Sequence, residues 1–200
     1  PPVGTSNVNL AALIGSRICH DLISPIGAIN NGLELLGMTG GGEGPEMQLI
    51  TESVGSATAR IRFFRIAYGA AGQQDMGRAE IVGVLRDLMG GGRLDVAWGP
   101  MDEQPRDAVR MAFLAIQCLE TAMPYGGRIE VTCERQRWTI HGRGEKMNVD
   151  KALWDTLETA VPPDEIQPAH VQFALLPAVV ADAGRKLTVK GQGTDLTIGF

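Results

Sequence analysis

In the run Ile18-Cys19-His20-Asp21-Leu22-Ile23-Ser24-Pro25-Ile26, a histidine stands beside a carboxylate. Imidazole keeps an unprotonated ring nitrogen available near neutral pH and so can act as a nucleophile. A neighbouring carboxylate can orient that ring or stabilise its imidazolium form. Set as a helix at about 100° per residue, Ala11, Ile14, Ile18, Leu22, Pro25, Ile29, Leu33 and Leu36 fall on one apolar stripe. His20 then lies about 200° from Ile18, on the far side of that stripe. Its neighbours at helical spacing are Ser16, Ile23, Ser24 and Gly27, with Leu13, Asn31 and Glu34 a turn further out. Two readings fit this spacing: a solvated surface histidine, or a ring standing above small residues where another protein sets down. Asp21 points about 100° away from His20 on an ideal helix, so contact between them needs side-chain reach. Ser24, one turn on, leaves room above the ring. Arg17 reads as an optional charge partner only.

His20-Asp21-Leu22-x-x-Pro25-Ile26 resembles the phosphoacceptor box of sensor histidine kinases: His, an acid, Leu or Ile, two residues, Pro, then Leu or Ile. The longer run, continued by Asn30-Asn31-Gly32-Leu33-Glu34-Leu35-Leu36, is similar to the ChpT-type histidine phosphotransferases of alphaproteobacteria. The resemblance implies that His20 carries the phosphoryl group, with Asp21 as the acid beside it; from its place one turn on, Ser24 is expected to touch that group.

Two hundred residues suffice for one or two domains with a real core. Aromatics are only 5%, so aliphatic packing must dominate. A net charge of −5 argues against nucleic-acid binding and against docking on an anionic membrane. No apolar run reaches bilayer length, and no charged-then-apolar leader precedes the first helical pattern. The chain opens on Pro1 rather than Met, which suggests further N-terminal sequence. Cys19, Cys118 and Cys133 are odd in number and lack metal spacing, as expected of reduced thiols in a cytoplasmic protein.

After a short tail at 1–5, the first helix is expected over about 7–38, capped by Ser6 or Asn7. Pro25 removes one backbone donor and predicts a bend just after His20. Residues 37–44 hold five glycines and read as a flexible turn, and Pro45 suits the first turn of a second helix over 45–71. There Met47, Ile50, Val54, Ala57, Ile61, Phe64 and Tyr68 make a second stripe, with Phe63 and Ile66 off it and free to pack on whatever follows. Arg60, Arg62 and Arg65 form either a solvated basic face or a contact for an acidic partner domain. A helical hairpin cannot bury both stripes alone; pairing with a second copy closes a four-helix bundle.

Residues 70–77 read as a linker. Helices are then expected over 79–89, 106–123, 147–157 and 169–183, and strands over 93–98, 128–133, 137–141, 186–190 and 195–200, with a loop from Pro162-Pro163 to Pro168. Mixed helices and antiparallel strands predict an α+β sandwich, helices covering one face of a sheet. That order also resembles the ATP-binding domain of histidine kinases, with residues 110–131 matching its nucleotide helix and following strand, and 171–200 its last helix and closing hairpin. The chain thus divides into a helical-hairpin dimerisation and phosphoacceptor domain, 1–72, and a degenerate kinase ATPase-like domain, 78–200.

The departures from the kinase pattern bear on function. Where kinases carry paired asparagines, Gln117 and Thr121 stand. Where an aspartate reads adenine two residues before a Gly-x-Gly pair, Ile140 precedes Gly142-Arg143-Gly144. The phosphate-cradling glycines are replaced by residues 171–176, Val-Gln-Phe-Ala-Leu-Leu. No cofactor and no metal are expected, and His141 and His170 read as structural or surface residues. The expected function is a phosphotransferase that relays a phosphoryl group between receiver-domain aspartates through phospho-His20 without ATP. Its expected partners are a second copy and the receiver domains of a hybrid histidine kinase and of response regulators. The rivals are an ATP-dependent sensor kinase core and a non-catalytic receiver-binding scaffold.

Overall fold

The computed structural model describes residues 5–39, 44–70, 72, 74–161 and 166–200. Residues 1–4 of the tail expected at 1–5, the middle of the glycine turn at 40–43 and the start of the Pro162-Pro163 loop at 162–165 lie outside the described residues. Helix α1, Thr5–Thr39, runs unbroken through Pro25 and already includes Ser6 and Asn7, the expected caps, which corrects the start at about 7. Helix α2, Pro45–Ala67, starts on the expected proline and closes an antiparallel hairpin against α1. The two approach closely at Gly32, where a Cβ would come within 2.6 Å of Ile50 Cγ1. Helix α2 ends at Ala67 rather than residue 71 because other groups take its last carbonyls. Arg106 Nη2 donates to the Arg65 carbonyl at 3.2 Å and Arg110 Nε to that of Ala67 at 3.2 Å. Cationic donors suit the negative end of the helix dipole.

The rest of the chain is strand β1 (Asp75–Met76), helix α3 (Arg78–Met89), strands β2 (Leu94–Trp98) and β3 (Gln104–Pro105), and helix α4 (Arg106–Ala122). Strands β4 (Gly127–Glu134) and β5 (Arg137–Arg143), helix α5 (Lys151–Thr159), a 3₁₀ turn (Pro168–His170), helix α6 (Val171–Asp182) and strands β6 (Thr188–Gln192) and β7 (Asp195–Gly199) complete it. The order β2-β4-β5-β7-β6 makes one five-stranded sheet, and β1 pairs with β3 in a separate two-stranded piece. That small pair, in the segment expected to be linker, has no hydrophobic period to announce it. The expectation of purely antiparallel strands is corrected at one edge: β2 pairs parallel to β4, because α4 carries the chain back over the sheet between them. The helix expected at 147–157 starts later, at Lys151, since Asp150 caps it by accepting from the Ala152 and Leu153 amides. Pro168 turns the first residues of the expected last helix into 3₁₀.

Helices cover one face of the sheet, as expected of an α+β sandwich. Ile129, Val131, Trp138, Ile140, Leu196 and Ile198 point into the core, whereas Arg128, Glu130 and Arg143 face water. Helix α4 is the centre of that core and is buried almost all round, with alanines at 108, 112, 115 and 122. The hairpin joins it: Phe63, fully buried, stacks on Phe113 of α4 with ring centroids 4.8 Å apart. Ile66 and Ala67 enter the same core. Phe63 and Ile66, off the α2 stripe, therefore attach it to the sandwich together with Phe64 and Tyr68 at the stripe's C-terminal end. Arg62 pairs with Asp87 of α3 at 2.8 Å, Arg60 is half-buried, and Arg65 is exposed, so the three arginines do not act as one patch.

The turn into β4 depends on glycine. Gly126 has φ of +90°, and a Cβ there would lie 2.2 Å from the Arg93 carbonyl oxygen. Gly126→Ala is expected to destabilise the fold by about 2–3 kcal/mol in urea unfolding; a loss below about 0.5 kcal/mol would contradict this close approach.

Candidate functional site

His20 sits midway along α1 with its side chain 82% exposed. Its Nδ1 lies 3.2 Å from Asp21 Oδ1, so the reach across about 100° of helix is made. A carboxylate only accepts, so this contact puts the ring hydrogen on Nδ1 and leaves the lone pair on Nε2. Ser24 is exposed one turn further along. Ile23, 70% exposed, lies on the same side of the helix.

Asp21 is itself held. Its Oδ2 accepts from Arg17 Nε at 2.8 Å, and Arg17 Nη1 donates to the carbonyl of Ala169 in the 3₁₀ turn before α6. Arg17 and Asp21 are only 18% and 12% exposed, so the ion pair is largely shielded while the histidine beside it is open to water. The reading of Arg17 as an optional partner is corrected here. An i, i+4 offset separates the two by only about 40° around the helix, and the turn at 168–170 covers them.

Behind this pair runs a second line of polar contacts. Tyr68, at the end of α2, donates to Gln117 Oε1 at 3.0 Å. Burial pushes its hydroxyl up to about 12, with the nearby Arg17 guanidinium opposing and Asp21 reinforcing that shift. Thr121 Oγ1 donates to the Gln117 carbonyl and accepts from Gln172 Nε2, each at 3.0 Å. The two positions where kinases carry nucleotide-handling asparagines thus spend their side chains on α2, α4 and α6. Ile140 is fully buried in the middle of the sheet between Val131 and Ile198. Trp154 and Phe173 pack edge to face between α5 and α6. At the positions where the kinase resemblance puts the nucleotide site, the polar side chains of Gln117 and Thr121 are bonded within the protein and Ile140 is apolar and buried, which does not suit an adenine nucleotide.

The other two histidines stand apart from His20. His141 Nε2 lies 3.1 Å from Asp195 Oδ1, which also accepts from Arg143 Nε at 2.8 Å, on the outer face of the sheet. His170 packs against Phe173, and burial lowers its pKa. Among the described residues no three His, Cys, Asp or Glu side chains cluster as metal ligands, and no helix is long and apolar enough to cross a membrane. All three cysteines are free, and burial pushes the Cys118 and Cys133 thiols up.

Sequence reasoning missed Tyr68, seen only as part of an apolar stripe, and the Ala169 carbonyl, which carries no sequence signal. The Arg17–Asp21 pair was readable from its spacing.

A hairpin bearing an exposed histidine, joined to a kinase-like α/β sandwich, is the architecture of a histidine-kinase core. The histidine kinase ThkA, solved in complex with the response regulator TrrA, shares the fold at a TM-score of 0.50 and 12% identity, over 98% of this chain and 62% of that one. A much closer likeness is to a bacterial phosphotransferase of known structure, at a TM-score of 0.80 and 31% identity over 99% of this chain and 98% of the other. The protein phosphotransferase ChpT of Brucella abortus (strain 2308) is 34% identical over 98% of this chain and 96% of its own length. Residues 78–195 match the histidine phosphotransferase C-terminal domain. The chain belongs to the histidine phosphotransferase family. Its function is histidine phosphotransfer in a phosphorelay, within two-component signalling.

Proposed function

We propose that His20 takes a phosphoryl group from the phosphoaspartate of one receiver domain and passes it to an aspartate of another, without ATP. The observation that carries this reading is an imidazole four-fifths open to solvent whose Nδ1 is engaged by Asp21. In the forward step the Nε2 lone pair attacks phosphorus in line. The P–O bond to the donor carboxylate breaks, and that carboxylate leaves with the electron pair. The ring then carries the phosphoryl group and, keeping its Nδ1 hydrogen, a positive charge that Asp21 offsets. The second transfer runs the same steps in reverse onto the acceptor aspartate. Catalysis is alignment and charge neutralisation, with the Ser24 hydroxyl, exposed one turn from His20, as the proposed donor to a phosphoryl oxygen.

The division of labour follows the residue ranges 1–72, hairpin and phosphoacceptor, and 78–200, sandwich; the family match beginning at 78 supports that boundary. A second copy completes the hairpin as a four-helix bundle. Ile26, Leu33, Val54 and Ile61 remain exposed on a single chain, and an open apolar cavity of about 310 Å³ is lined by Ile14, Ile18, Ile61, Phe64 and Tyr68. A sedimentation mass equal to one chain would count against the bundle. The proposed partners are receiver domains of a hybrid histidine kinase and of response regulators, in the cytoplasm.

The test is to offer the chain two labelled donors separately, a phosphorylated receiver and ATP with magnesium. Label is expected from the receiver alone. Self-labelling by ATP would restore the kinase reading, and label from neither would leave a scaffold.

A further inference from the structure

Exposure of His20 explains how a receiver reaches it but not how its ring is held ready. On an isolated helix, Asp21 points away from His20 and has many rotamers open to water. Here one of its oxygens is fixed by Arg17 at 2.8 Å, which turns the other toward His20 Nδ1. Arg17 is fixed in turn, because its second arm is bonded to the Ala169 carbonyl, 152 residues along the chain in the turn that opens α6. Only a guanidinium can do both at once, presenting Nε and Nη1 in a rigid planar fork. The shielding of this pair from water strengthens the hold, since a partly buried ion pair is screened far less than a surface one.

We propose that Arg17 is a positioning residue for phosphotransfer: it clamps Asp21 between His20 and the C-terminal sandwich, fixing His20 with hydrogen on Nδ1 and the nucleophilic lone pair on Nε2. This rests on His20 being the phosphoacceptor and assigns the retained sandwich a task in the reaction, that of anchoring the acceptor's own acid. The same clamp holds the negative charge that offsets the ring while it bears the phosphoryl group. Loosening it slows the chemical step and leaves receiver docking as it was, since the guanidinium faces the sandwich rather than the receiver.

The test uses the full chain with Arg17→Lys and Arg17→Met, each checked for folding by circular dichroism, and a phosphorylated receiver as donor. The maximal transfer rate is expected to fall about tenfold or more, with the receiver concentration giving half that rate unchanged. Nitrogen-15 NMR of the His20 ring is expected to move from one tautomer to a mixture in both variants. In an Asp21→Asn background, Arg17→Met is expected to cost nothing further. Lysine restoring the full rate, or wild-type rates with an unchanged ring spectrum in the two variants, would overturn the proposal. A failure of the parent reading looks different, because His20→Ala would then accept label as well as the wild type whatever Arg17 does.

Discussion

His20→Ala is expected to reduce labelling by a phosphorylated receiver about a thousandfold or more, to background, while the chain stays folded. Both halves of that outcome follow from one geometry. With 82% of the side chain exposed, little burial is lost, and the change in stability should stay within about 0.5 kcal/mol. Neither of the other two of the chain's three histidines is placed to stand in for His20. His141 has its Nε2 engaged by Asp195 on the outer face of the sheet, and His170 is packed on Phe173. Neither is presented beside a held carboxylate on an open helix face. Quantifying phosphohistidine after a fixed time with labelled receiver, beside a thermal melt, checks both parts. Equal labelling of wild type and variant would remove His20 from the mechanism; a large drop in melting temperature would mean that the ring has structural duties its exposure does not show.

Phe63→Ala is the second large effect, this time on stability. Phe63 is fully buried and stacked on Phe113 at 4.8 Å. Truncating a buried phenylalanine costs about 3–5 kcal/mol through lost transfer energy and the cavity left behind. A domain of this kind has only about 5–15 kcal/mol in total, so the urea midpoint should fall steeply. The transition should remain single, because the last turn of α2 belongs to the same core as α4 and the sheet. Survival of an unaltered transition, with only a separate hairpin signal lost, would show that the hairpin and sandwich are independent units. A rigid attachment also bears on mechanism, since the clamp on Asp21 requires the turn at 168–170 to stay against α1.

Local signals made much of the fold legible. The 3.6-residue stripes gave α1 and α2, Pro45 gave the start of the second helix, and alternation gave β4, β5 and the closing β6–β7 hairpin within a residue or two. The contact between His20 and Asp21 was legible because the two positions are adjacent. What escaped was non-local or too short for a period. Strands β1 and β3 have two residues each and exist only because they meet. The parallel pairing of β2 with β4 depends on how α4 lies across the sheet. The three arginines of α2 look alike in sequence, yet Asp87, far along the chain, takes one of them.

The sequence by itself determined the elements, the class of the molecule and the candidate ring proposed to carry the phosphoryl group, because helical period, turn residues and a contiguous motif are properties of neighbours along the chain. Only the tertiary structure decided how that ring is held. Gln117 and Thr121 turn their polar atoms inward, Phe63 joins the two halves from outside the stripe, and Arg17 reaches Asp21 and Ala169 together. The physical reason is that hydrogen bonds and packing act through space over a few ångströms, whereas the partners they join here lie from 4 to 152 residues apart.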